Sequence, residues 1–195
     1  GAATARALAD RGASVTLSAR REARLREIAR EIEDTGGNAS VVTADVTDDA
    51  QVAALLEETV DRFGRLDVVV ANAGLGRDVA VEEMDTATYR QMMDVNVDGA
   101  FFTARESIPH LRETAGVLIF LSSFAGQYPR PGNPVYAATK WWVQGFARSL
   151  AGSVGGDGIG VTTINPSEVR TEFGSEDDDS MKESFEPGEV TEAGE

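Results

Sequence analysis

Two hydrophobic rhythms take turns along the chain, one near the 3.6-residue period of a helix and one alternating or continuous as in a strand. Residues 2–11 follow the helical rhythm and stop at Gly12, a residue that takes the left-handed conformation many helix ends need. ASVTLS (13–18) alternates and is rich in β-branched residues, which predicts a strand. In REARLREIAREIEDTG, Leu25, Ile28, Ala29 and Ile32 share one helical face, and Gly36 and Gly37 end the helix. ASVVTA (39–44) predicts a second strand, and Asp48 is placed to cap a helix running through Phe63 by accepting from free N–H groups of its first turn. LDVVVANAG then predicts a buried strand and a Gly-containing loop, 86–112 a helical region, and GVLIFLSS another strand. PVYAATKWWVQGFARSLAGSV follows as a helix with Pro134 near its start, and IGVTTINP as the last strand. Strict alternation of this kind implies an α/β domain, a parallel sheet with right-handed crossovers and helices on both faces. Ligands of such sheets bind at the carboxyl ends of the strands.

The rhythm fails beyond Pro166. From Glu172 to Glu195 there are ten acids and one lysine, which predicts a solvated loop, a lid over the substrate or a tail. The chain as a whole has 33 acids against 18 bases and a net charge of −15, which repels nucleic acid and anionic membranes. No cysteine and a single histidine, His110, exclude disulfides and argue against zinc or copper centres. AGVLIFL (115–121), the longest apolar stretch, is too short to cross a bilayer. The expectation is a cytoplasmic protein with no metal, whose acidity and preference for Arg over Lys resemble proteins of salt-loving organisms.

Of the 18 basic residues only two are lysines, and Lys140 stands four residues after Tyr136. On a helix that spacing stacks the two side chains, so the ammonium is expected to favour the phenolate and make Tyr136 a usable proton donor or acceptor. Three tyrosines and two lysines in 195 residues give this spacing by chance in roughly one chain in thirty, so the pair alone decides little. Ser123, thirteen residues before Tyr136, ends an apolar strand at the edge where parallel sheets bind ligands. ANAG (71–74) ends the preceding strand, and NVDG (96–99) interrupts a helical stretch.

Taken in this order, N-A-G after a strand, N-V-x-G, a Ser thirteen before a Tyr, and Y-x-x-x-K resemble the short-chain dehydrogenase/reductase family over essentially the whole chain. The resemblance implies a Rossmann-type doubly wound sheet and an oxidoreductase that interconverts a secondary alcohol and a ketone. It implies that Tyr136 is the general acid or base, that Lys140 also bonds the nicotinamide ribose, that Ser123 holds the substrate oxygen, and that Asn96 binds a water linking Lys140 to solvent. Ser122 competes with Ser123, and the thirteen-residue spacing favours Ser123. Asp45 and Val46 would meet the adenine, Asn72, Ala73 and Gly74 its ribose, and Pro166, Val169 and Thr171 the nicotinamide end. Ser167 stands where the family usually has Gly. Where NAD-using members have an acid after the second strand, this chain has Ala19 followed by Arg20, which points to the 2′-phosphate of NADP rather than to NAD. Arg20 and Arg21 also stand at a helix N-terminus, where the macrodipole disfavours cations unless an anion is bound.

Only the last glycine of the family's phosphate-binding loop is represented, by Gly1. The resemblance therefore implies an incomplete copy of a longer enzyme, lacking the first, central strand and the last strand. It divides the chain into an incomplete Rossmann-like domain over 1–171 and the acidic lid or tail over 172–195. The competing expectations are a catalytically inactive nucleotide-binding regulator and a non-functional fragment. The substrate is a small carbonyl or alcohol, with 3-hydroxy acids and 3-oxoacyl compounds the types suggested. Phe124, Gln127 and Tyr128 are expected to line its site. The long helices around 99–113 and 134–154 suggest a homodimer or homotetramer, with one of Trp141 and Trp142 in the core and the other at an interface.

Overall fold

The computed structural model describes residues 1–167, 169–170 and 191–192. Its helices are α1 (Ala2–Ala9), α2 (Glu22–Asp34), α3 (Asp49–Phe63), α4 (Thr86–Met93), α5 (Gly99–Thr114) and α6 (Pro134–Val154). The strands are β1 (Ser14–Ala19), β2 (Asn38–Thr43), β3 (Val68–Ala71), β4 (Val117–Leu121), β5 (Gly160–Ile164), β6 (Val169–Arg170) and β7 (Thr191–Glu192). All pairings among the described residues are parallel, as the alternation of strands and helices requires.

The expected sheet is present as two blocks. β1 pairs with β2 from Ser14 opposite Asn38 to Ala19 opposite Thr43, and β3, β4 and β5 form a second ladder in that order. Each block has its own apolar cluster. Ala5 and Ala9 of α1, Leu17 of β1 and Leu25, Ile28, Ala29 and Ile32 of α2 form one, so the helical face read from the sequence is the buried face. The larger cluster joins Val52 and Leu56 of α3, Ala104 and Leu111 of α5, and Val143 and Ala147 of α6 to Leu118 and Phe120 of β4. Leu118 and Phe120 are fully buried, each contributing roughly 1.5–3 kcal/mol relative to an exposed side chain. This is the α/β, Rossmann-like architecture expected.

Local chemistry sets the helix ends. Asp48 caps α3 by accepting from Gln51 N at 3.1 Å, and Gln51 returns a side-chain bond to Asp48 at 2.8 Å. Gly64 closes the same helix at φ 80°, a backbone conformation available to glycine at little cost. Asp85 caps α4, and Asn133 caps α6 with Pro134 in its first turn.

The helical region over 86–112, with its expected interruption at NVDG, is two α-helices joined by a π-helical turn, Asp94–Asp98. Gly99 follows that turn because a Cβ there would lie 2.8 Å from Val46 Cγ2. Beyond Pro166, Thr191 and Glu192 pair with Val169 and Arg170. The rest of the 172–195 expectation, and Thr171, lie outside the described residues.

Candidate active site

Four chain segments converge at the carboxyl ends of β3 and β4: the loop after β3, the π-helical turn, the residues that follow β4, and the first turns of α6. Ser123 has an extended backbone, and its Oγ caps the short 3-10 turn Phe124–Gly126 by accepting from Ala125 N at 3.1 Å. It also hydrogen-bonds to Tyr136, which favours the phenolate. Ser122, its competitor, is buried and donates to the Lys140 carbonyl at 3.3 Å, a structural task. A Cβ on Gly126 would lie 2.7 Å from that same carbonyl, so only glycine lets the turn lie this close to α6.

Lys140 is buried at 4% exposure, and its Nζ donates to the carbonyl of Leu121, the last residue of β4, at 2.9 Å. It lies over the face of the Tyr136 ring, 5.7 Å from the centroid. Burial pushes its pKa from 10.5 down to about 8. The net shift of the Tyr136 phenol runs opposite to the lowering expected from Lys140. Burial raises the Tyr136 phenol above its usual value, opposed by the Ser123 hydrogen bond and by the charge of Arg130. The ammonium itself is directed at a carbonyl.

Asn96, 1% exposed, occupies the π-helical turn and uses its whole side chain. Oδ1 accepts from Leu75 N at 2.8 Å, while Nδ2 donates to Leu75 O at 2.8 Å and to Thr139 Oγ1 at 3.0 Å. Both amide hydrogens of the side chain are thus placed on protein acceptors. Its role here is to fasten the 74–76 loop to α6. Thr139 completes the tie by donating to Tyr136 O at 2.7 Å.

A protonated phenol beside a serine hydroxyl, above a buried ammonium at a sheet's carboxyl edge, can hold a carbonyl oxygen and hand it a proton. The sequence model of the family described as short chain dehydrogenase matches residues 1–182. The chain belongs to the short-chain dehydrogenase family. It is 38% identical over 178 residues to a sulfoacetaldehyde reductase of Chromohalobacter salexigens, covering 89% of this chain and 69% of that protein. It is 33% identical over 196 residues to an oxidoreductase of Staphylococcus saprophyticus, covering 99% and 83%. Among solved structures, an alcohol dehydrogenase from the archaeon Thermococcus sibiricus, complexed with 5-hydroxy-NADP, superposes with a TM-score of 0.89 at 29% identity, covering 100% of this chain and 80% of that one. A 3-ketoacyl-(acyl-carrier-protein) reductase from Brucella melitensis, complexed with NADH, gives 0.86 at 28% identity, covering 99% and 80%.

Short-chain dehydrogenases work with a nicotinamide dinucleotide, and the residues present fit one. At the ends of β1 and β2, Arg20, Asp45 and Thr47 face Arg90, Gln91 and Asp94 of the α4 region across a cavity of about 380 Å³. Asp45 is held in place, accepting from Thr47 N at 3.0 Å and Thr47 Oγ1 at 2.8 Å. Val46 packs on the main core. Asn72 and Ala73 are exposed after β3, and Gly1 abuts Asn72, a Cβ there lying 3.1 Å from Nδ2. Gly74 forms a cradle over the catalytic-type pair: a Cβ would lie 3.2 Å from Lys140 Nζ and 3.4 Å from Asn96 Oδ1. Pro166 is anchored to the Ser123 turn through its carbonyl, which accepts from Phe124 N at 2.8 Å. Val169 is in β6.

Sequence reasoning missed Thr139, Asn133, Gly76 and Arg90. Asn133-Pro134 is a readable helix-start signal, whereas the contact of Gly76 with the Tyr136 ring, 3.2 Å from a Cβ to Cδ2, has no local signature. Phe124 and Tyr128 stack at 4.3 Å and remain 40% and 53% exposed beside Ser123. Trp142 packs on the core against Phe146, and Trp141 is exposed. Among the described residues no helix is long and apolar enough to cross a membrane.

Proposed function

We propose that this member of the family is an NADP(H)-dependent enzyme interconverting a secondary alcohol and a ketone. The observation that carries the reading is Tyr136 hydrogen-bonded to Ser123 directly above the buried Lys140. When bound, the nicotinamide group supplies or accepts the hydride. Ser123 holds the substrate oxygen in line with the Tyr136 hydroxyl. Tyr136 gives its proton to that oxygen as negative charge develops there, and takes it back in the reverse direction. Lys140 would bond the nicotinamide ribose, its bond to the Leu121 carbonyl holding the amine in place. Asn96 keeps loop and helix in register.

Arg20, Asp45 and Val46 hold the adenine end, Asn72, Ala73 and Gly74 the adenosine ribose, Gly1 the phosphates, and Pro166, Val169 and Thr171 the nicotinamide. Two arginines on one cavity, Arg20 and Arg90, favour the 2′-phosphate and hence NADP over NAD. Solved relatives bind nucleotides of both kinds. Two curated relatives are named for anionic substrates, sulfoacetaldehyde and cis-4-hydroxycyclohexanecarboxylate. A 3-hydroxy acid or its oxo form is the substrate type we favour. Phe101 on α5 and Trp141 on α6 are exposed, which supports self-association through these helices as a dimer or tetramer.

NADPH oxidation is followed with a panel of ketones and oxo acids, for the wild-type chain and for Tyr136→Phe. Turnover that falls at least a hundredfold in the variant, with NADPH affinity retained, supports the assignment. Binding of NADPH without turnover in either protein replaces the enzyme with a nucleotide-binding regulator.

A further inference from the structure

Beyond Lys140 the buried residues of α6 are Val143, Ala147, Val154 and one amide, Gln144, which is 4% exposed. A helix packed on a sheet buries apolar side chains, and a buried amide is tolerated there only when its polar atoms are bonded. Gln144 meets that demand in a closed ring. Its Nε2 donates to Asn165 Oδ1, Asn165 Nδ2 donates to Thr163 Oγ1 at 3.4 Å, and Thr163 Oγ1 donates to Gln144 Oε1 at 3.3 Å. Each of the three side chains gives one of these bonds and takes one, so the ring closes in a single sense and its members polarise one another.

The ring lies where two parts of the proposed site meet. On α6, Tyr136, Lys140 and Gln144 follow at intervals of four and stack along one side of the helix. At the end of β5, Asn165 stands between two carbonyls that grip the serine turn: Ser122 N donates to Ile164 O at 2.9 Å, and Phe124 N donates to Pro166 O at 2.8 Å. Ser123 is therefore carried by the segment 164–166, and the middle residue of that segment is bonded to the helix that carries Tyr136. Apolar packing under α6 is non-directional and sets no register along the helix, so polar ties have to set it.

We propose that Gln144, Asn165 and Thr163 are positioning residues, a polar ring that sets the reach from Ser123 to the Tyr136 hydroxyl and through it the rate of proton transfer to the substrate. The proposal rests on the oxidoreductase reading of the Ser123–Tyr136 pair and adds three residues that act through that pair. A misplacement of about 1 Å in such a constellation costs up to about a hundredfold in rate.

The test reads the Ser123–Tyr136 bond itself. Tyrosinate absorbance, corrected by the Tyr136→Phe form of each protein, is titrated without nucleotide in wild type, Gln144→Met, Thr163→Val and Thr163→Ser, and again with Ser123→Ala added to each. The cations beside the phenol, Lys140 and Arg130, are present in every protein. Because the Ser123 bond favours the phenolate, opening the ring is expected to move the titration to higher pH in Gln144→Met and Thr163→Val. Thr163→Ser keeps the hydroxyl and should titrate as wild type, and with Ser123→Ala added no ring variant should move the titration further. The kcat for ketone reduction is expected to fall about tenfold in the two ring-opening variants, with NADPH affinity within about twofold of wild type. Thr163→Val opens the ring from a strand, where valine is favoured, so it reports even if methionine disturbs α6. A titration unchanged by opening the ring, or moved equally with and without Ser123, overturns the proposal. The expected shifts in a protein that reduces no ketone leave the ring standing and remove the enzyme reading, and turnover with unchanged titrations does the reverse.

Discussion

Lys140→Met is expected to stabilise the protein at neutral pH while abolishing turnover. The ammonium is 4% exposed with, among the described residues, a single hydrogen bond, to the Leu121 carbonyl, and its pKa falls from 10.5 to about 8. Because the unfolded chain holds this proton more tightly than the folded one, burial of the charge opposes folding in full below pH 8. The penalty fades as pH rises from 8 to 10.5, where the unfolded chain loses its proton too. The shift corresponds to about 3 kcal/mol at pH 7. Methionine fills similar space without the charge but leaves the Leu121 carbonyl unpaired, which costs about 1–2 kcal/mol, so the net gain at pH 7 is about 1–2 kcal/mol. The more discriminating quantity is the change with pH. Between pH 7 and 9.5 wild type should gain about 2 kcal/mol relative to the variant, since every other group titrates equally in both. Urea unfolding at the two pH values, with midpoint and slope fitted together, measures it. A stability difference that stays constant over this range would refute the idea that Lys140 is held charged against its solvation.

Three further outcomes follow from the same contacts. Gly99→Ala drives a methyl group to 2.8 Å from Val46 Cγ2 and is expected to cost about 1–3 kcal/mol, read as a thermal midpoint lowered by several degrees; an unchanged midpoint shows that Val46 yields freely. Asn96→Ala strands the N–H and carbonyl of Leu75 and is expected to cost about 2–4 kcal/mol in urea unfolding, and to slow NADPH-linked turnover by detaching the 74–76 loop from α6; Thr139→Val should show a smaller loss of the same kind. The tyrosinate absorbance of wild type minus Tyr136→Phe, titrated without nucleotide, should ionise above the usual value of 10 because burial disfavours the phenolate, and an apparent pKa below 10 would restore Lys140 as the dominant influence.

Most of the architecture was legible because it depends on local rules. The apolar face of α2, the Asp48 cap and the strand runs each depend on residues within one or two turns of one another, and the structure keeps them all. Ser123, Tyr136 and Lys140 were legible for a different reason: their residue types are chemically uncommon together, and strand end and helix turn place them at fixed spacings. What could not be read was direction and competition. Sequence spacing puts Lys140 near Tyr136, but whether the ammonium addresses the hydroxyl or a carbonyl depends on where β4 ends relative to α6, a contact nineteen residues apart. Asn96 illustrates the same limit. Its partners, Leu75 and Thr139, are 21 and 43 residues away, so nothing local revealed that its amide is fully engaged.

Asn96 also shows why the site tolerates a buried charge. A π-helical turn widens the helix by one residue and rotates a side chain out of the regular helical row, which is why such turns recur where a helix must present a group to a site. Here the rotation lets one amide reach the backbone of the loop after β3 and the hydroxyl of Thr139 in α6 at once. Thr139 adjoins Lys140 and bonds the Tyr136 carbonyl, so the three residues of α6 nearest the chemistry are fixed to the β3 loop by this bridge and to β4 by the Lys140–Leu121 bond. Gly74 lies between the two ties, where any larger residue would press on the ammonium. Two independent ties to neighbouring strands leave Lys140 little freedom to swing toward solvent, even though its desolvation favours doing so. The stability lost to that buried charge is therefore the cost of preorganisation, and Lys140→Met, which removes the charge, should recover part of it.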